Sequence, residues 1–131
     1  MSKKNDFIEA LKTSKKAAAE LPGFDVLREF CRGIKEFVGE TIECDAVPSQ
    51  VVKYGQEYKV IITYYPSSYS STLLRAYLNA EGTPYLDVYD KQGPQRCQDV
   101  ADFKQKLLNF LSVPGIADML DEFKRDTSKA R

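Results

Sequence analysis

The segment Glu57-Tyr58-Lys59-Val60-Ile61-Ile62-Thr63-Tyr64-Tyr65 decides the fold. Its β-branched and aromatic residues favour extended backbone, and successive side chains of a strand point to opposite faces. Val60 and Ile62 then share one face, while Lys59, Ile61, Thr63 and Tyr65 share the other. Upstream, residues 41–47 follow the same period of two, with Ile42, Cys44 and Ala46 alternating with Glu43 and Asp45. Downstream, residues 72–79 and 85–90 place Leu74, Ala76, Leu78, Leu86 and Val88 on the apolar side. Short connections at Gly55-Gln56 and at residues 80–83 predict two hairpins. Pro48 and Pro84 suit an edge or a strand entrance, where a missing backbone donor does least harm. The middle of the chain thus reads as an antiparallel meander of about four strands.

Outside this window the period changes to that of a helix. Phe7, Leu11, Ala18 and Leu21 mark a first helix, stopped by Pro22-Gly23. Val26, Leu27, Phe30, Cys31, Ile34, Phe37 and Val38 form the apolar stripe of a second, with Asp25 as its expected cap and Gly39 at its end. Gly33 inside that helix suggests close packing. Asp99 opens a third helix carrying Val100, Phe103, Leu107, Phe110 and Leu111, and Pro114 opens a fourth carrying Ile116, Met119, Leu120 and Phe123. The aromatic residues divide along the same lines. All eight Tyr fall between Tyr54 and Tyr89, and all seven Phe lie outside that span. Tyr, with an apolar body and a polar tip, suits a sheet that meets water, and Phe suits a buried helix stripe. The expected fold is a single α+β domain over residues 1–131, with tails at 1–5 and 125–131. Two N-terminal and two C-terminal helices pack mainly on one sheet face, against Ile42, Cys44, Val52, Val60, Ile62, Leu74, Ala76, Leu78, Leu86 and Val88.

Composition narrows the chemistry. Lys plus Arg and Asp plus Glu both number 19, so the formal net charge is zero, against the basic excess of a duplex-DNA binder. There is no His, which removes the commonest general base and metal ligand. Cys31, Cys44 and Cys97 lack the spacing of a zinc or redox motif and are expected to be reduced, partly buried thiols. No Walker loop, dinucleotide turn, nucleophile elbow or metalloprotease signature occurs. The serines at 67, 68, 70 and 71 have no His base and suit turns. No catalytic residue, cofactor or metal site is expected. The charged start and the lack of a long apolar run predict a cytoplasmic chain with no membrane contact.

The predicted site is the sheet face opposite the helices. Alternation assigns Lys53, Lys59, Ile61, Thr63, Tyr65, Leu73, Arg75, Tyr77, Asn79, Tyr85, Asp87 and Tyr89 to it. Tyr and Arg give rigid contact area with a hydrogen-bonding tip, so Tyr65, Arg75, Tyr77, Tyr85, Tyr89 and Lys59 are the expected partner-binding residues. The expected partner is another protein or a second copy of this chain. Single-stranded nucleic acid is the alternative, because residues 47–80 carry Lys53, Lys59 and Arg75 against Glu57 alone. A further alternative is a small-ligand pocket between helices and sheet, with Tyr54, Tyr58 or Tyr64 as polar tips.

Overall fold

A computed structural model describes residues 21–67, 69–88 and 93–129, with side chains through Asp126. The described chain runs α1 (Phe24–Val38), β1 (Ile42–Val52), β2 (Gly55–Tyr64), β3 (Tyr69–Leu78), β4 (Tyr85–Asp87), β5 (Gln95–Arg96), α2 (Val100–Leu111) and α3 (Pro114–Lys129). The five strands form one antiparallel sheet in chain order, so each hairpin pairs with the next and no crossover is needed. This is the expected α+β meander with one strand more. The two-residue β5 is too short to leave a periodic signal. The helix expected around Phe7 to Ala18 lies outside the described residues.

Side-chain alternation drives the packing. In β2, Tyr58, Val60 and Ile62 are essentially sealed from water, and their registered partners Ala76, Leu74, Cys44 and Ala46 share that side. Against it α1 sets Leu27, Phe30, Cys31, Ile34 and Val38, which recur every three or four residues and so form one stripe. The stripe of α2 is Phe103, Leu107 and Phe110, and α3 adds Leu120 with Ile116, Met119 and Phe123 at its margin. Phe30 meets Phe110 with ring centroids 6.3 Å apart, tying α1 to α2. Each aliphatic side chain sealed in this layer contributes about 1.5–3 kcal/mol relative to exposure.

Local chemistry sets the helix ends. The Asp99 side chain accepts the Asp102 backbone N–H at 2.8 Å, and the Asp102 carboxylate accepts from Gln98 N at 2.9 Å and Lys106 Nζ at 3.1 Å. These bonds, first the backbone one and then the ammonium, hold the Asp102 carboxyl below its usual range. Asp25 does not cap α1 as expected. Gly23 takes that place without a side-chain bond, and Asp25 stands in the first turn, where it still favours the helix dipole. Gly39 ends α1 with a positive φ, as its place in the sequence suggests.

Three details of the sheet depart from simple alternation. β1 continues through Pro48 as a single strand, bulged between Pro48 and Val51, so Val51 registers with Gln56 and Val52 falls outside the core. The first hairpin turns at Lys53-Tyr54, and Gly55 begins β2 with φ 123°. A Cβ there would collide with the Leu78 carbonyl oxygen, so only glycine fits. In β3, a second bulge lies opposite Val60 and Ile61: Leu74 pairs with Val60 and Thr72 with Ile61, leaving Leu73 as the extra residue. Leu73 is therefore 5% exposed and belongs to the helix-side core, against its expected place on the open face.

Gly33 does not mark close packing either. It is exposed, and a Cβ there meets nothing within 4 Å. Gly33→Ala is expected to stabilise the fold by roughly 0.5–1 kcal/mol through helix propensity, raising Tm by a few degrees in a calorimetric scan. Gly55→Ala should move Tm the opposite way and by more, because backbone must shift to relieve the carbonyl clash.

Candidate functional site: the helix-free sheet face

Among the described residues, all three helices lie against the same side of the sheet. The other side is built from Glu57, Lys59, Ile61 and Thr63 of β2, with Tyr77 and Arg75 of β3 registered across from Glu57 and Lys59. Tyr85 and Asp87 of β4 extend it, opposite Tyr77 and Arg75 in turn. Cross-strand partners share a face, so these residues form one continuous surface.

At the hairpin end of this surface three tyrosines pack on one another. The Tyr54 ring lies 5.5 Å from that of Tyr77, near edge-on at 65°, and 4.7 Å from that of Tyr85. Lys53 Nζ sits 5.1 Å from the Tyr54 ring centroid, a cation–π contact. Beneath the rings lies Glu57, the buried charged residue of the described core, at 3% exposure. Its carboxylate lies close enough to the Tyr77 phenol to disfavour ionisation there. Tyr77 itself is only 5% exposed. It was expected at the surface, and it does face away from the helices, but Tyr54 and Tyr85 cover it. Burial first, and then the Glu57 carboxylate, push its phenol up to about 12.

Next to this cluster stands a different arrangement. Lys59 and Arg75 are registered directly across from each other on neighbouring strands. Like charges so placed are destabilising. Neither takes part in an ion pair among the described residues, where the pairs are Lys35–Glu43 at 2.9 Å and Lys106–Asp102 at 3.1 Å. Asp87 registers across Arg75 on its far side without closing a salt bridge to it. Arg75 is exposed and Lys59, Ile61 and Tyr85 are half-buried.

Of the expected contact residues, Lys59, Arg75, Tyr77 and Tyr85 thus come together. Tyr65 does not join them. It lies in a 3-10 turn after β2, 56% exposed, with its N–H on Thr41 O at 3.0 Å. Eight residues of extended chain separate it from Glu57, on the order of 25 Å. Tyr89 lies outside the described residues. Asn79 leaves the open face to clamp the β3–β4 turn, bonding Thr83 O at 2.8 Å and Tyr54 O at 3.2 Å. Sequence reasoning missed Glu57 as a structural member of the site. Its position two residues before Lys59 in the outward row was the available signal.

The three thiols are free and buried, more fully than the partial burial expected. A hydrogen bond with Cys31, and then burial, hold the Cys44 thiol well above the usual range, and burial raises Cys97. No group of three potential metal ligands occurs among the described residues.

Because folding raises the Tyr77 phenol, its contribution to stability is complete below pH 10 and is lost as pH rises towards about 12. Burial also raises the Tyr58 and Tyr64 phenols, so tyrosinate absorbance at alkaline pH should show several late-titrating phenols and lose one of them in Tyr77→Phe; a titration unchanged by that substitution would refute the assignment. No family model, curated protein or solved structure matches this chain, so its own geometry carries the argument about function.

Proposed function

We propose that this chain acts by binding, with the sheet face opposite the described helices docking onto an acidic patch of a partner protein. The observation that carries this is the Lys59–Arg75 pair: two cations side by side, across strands, with no ion pair of their own among the described residues. Such an arrangement costs the isolated fold stability and is repaid when an anionic surface covers it. Beside it the packed Tyr54, Tyr77 and Tyr85 rings supply a rigid rim, since their mutual contacts order them before any partner arrives. Ile61 adds apolar area between the charged residues and the far end of the face.

The tyrosine geometry argues against single-stranded nucleic acid. Bases stack on open ring faces, and here the rings are turned onto one another at 4.7 and 5.5 Å. No helix among the described residues is long and apolar enough to cross a membrane.

The test compares wild type with the Lys59→Gln/Arg75→Gln double variant in affinity capture across salt. Wild type is expected to retain a protein partner that moderate salt releases, and the double variant to lose it. Its Tm should be unchanged or slightly higher, because a like-charge contact has been removed. Equal recovery by both proteins would refute the proposal. Salt-dependent binding of oligo(dT) or oligo(U) that the double variant loses would replace it with the nucleic-acid alternative. A wild-type dimer that light scattering shows to be a monomer in the double variant would make the partner a second copy.

A further inference from the structure

On the helix side of the sheet, a cleft of about 630 Å³ opens between β3, β4 and β5 and the α2–α3 corner. Its walls are mainly apolar: Leu73 and Leu86 from the sheet, Phe110 from α2 and Ile116 from α3, with Val113 as an exposed lip. That volume lies within the range of sites for small organic ligands. At about 30 Å³ per water it has room for roughly 20 water-sized groups. None of Tyr54, Tyr58 or Tyr64 lines it. Tyr58 is sealed in the core, Tyr64 stacks on Phe123 at 4.8 Å, and Tyr54 is on the other face.

Gln95 and Asn109 add neutral polar groups to the lining, and its charged side chains have one sign. Arg96 and Lys106 line it, and no Asp or Glu does among the described residues. Lys106 Nζ is held by Asp102 at 3.1 Å and by the Arg96 carbonyl at 3.1 Å. The Arg96 guanidinium makes no ion pair among the described residues. One ammonium is thus fixed in place, and one guanidinium is left to receive a charge.

We infer that this cleft binds a small amphipathic anion, a medium-chain carboxylate in its simplest form. The chain lies against Leu73, Leu86, Phe110 and Ile116, and the headgroup meets Arg96 and Lys106. A buried carboxylate needs such a partner, and guanidinium offers it two parallel donors. A neutral or cationic amphiphile of equal length gains the same apolar contact without that pairing. The site is separate from the docking face, so either proposal stands or falls alone.

Calorimetric titration of the full chain with decanoate, n-decanol and decyltrimethylammonium tests this. Decanoate is expected to bind saturably at one per chain, about tenfold or more tighter than the other two. In Arg96→Gln that advantage should shrink to about twofold, with decanol unaffected. Val113→Asp, at the exposed lip, should weaken decanoate and decanol together. Both positions are exposed, so melting curves should match wild type. The inference is overturned if decanoate shows no saturable binding up to millimolar concentration or binds no tighter than decanol. An affinity for decanoate that Arg96→Gln leaves unchanged overturns it equally.

Discussion

Among the described residues, three amphipathic helices cover one sheet face, and most of the structure follows from how that face is filled. The central row Tyr58, Val60 and Ile62 of β2 meets the stripes of the helices, and the registered neighbours on β1 and β3 must then present apolar atoms on the same side. Parity does the rest. Once the inward row is assigned, every alternate residue faces away, and the open surface receives whatever the sequence places there. Glu57, Lys59, Arg75, Tyr77 and Tyr85 are brought together by this inheritance, from three different strands.

The sheet order, the helix stripes and the sidedness were legible because each rests on a period sustained over many residues. What was not legible arises where a single residue breaks the period or where neighbours intervene. Leu73 carries no local mark of a bulge, since Leu73-Leu74 reads as one outward and one inward residue until the register across Val60 and Ile61 is known. Tyr77 was assigned to the correct face, yet its burial depends on Tyr54, which reaches it from the adjacent turn. Alternation tells which side a residue takes, and it is silent about what else lies over that side. The Gly23 cap escaped for a similar reason: Asp25 has the right chemistry, but the backbone enters the helix two residues earlier.

The two proposed sites sit back to back on the same short stretch of sheet. Arg75 and Tyr77 serve the open face, while Leu73, Leu74 and Leu86 serve the helix side, a few ångströms of backbone apart. Their chemistries differ in kind. The open face carries two adjacent cations and ordered rings; the cleft is concave and mainly apolar with cationic residues at its margin. Polar satisfaction binds the two halves of the fold as well. No buried side-chain nitrogen or oxygen among the described residues lacks a hydrogen-bond partner, the buried Glu57 beside the tyrosines included.

The bulge at Leu73 has a consequence for how this chain can change over generations. It inverts the phase of β3, so residues 69–72 and 74–78 obey the same in–out rule only with a one-residue offset. Loss of one residue here would restore regular pairing while preserving both flanking halves of the strand, whereas loss of one residue elsewhere in β3 would turn a half inside out. β3 therefore contains a point where a change in length is tolerated by the sheet and felt chiefly by the cleft.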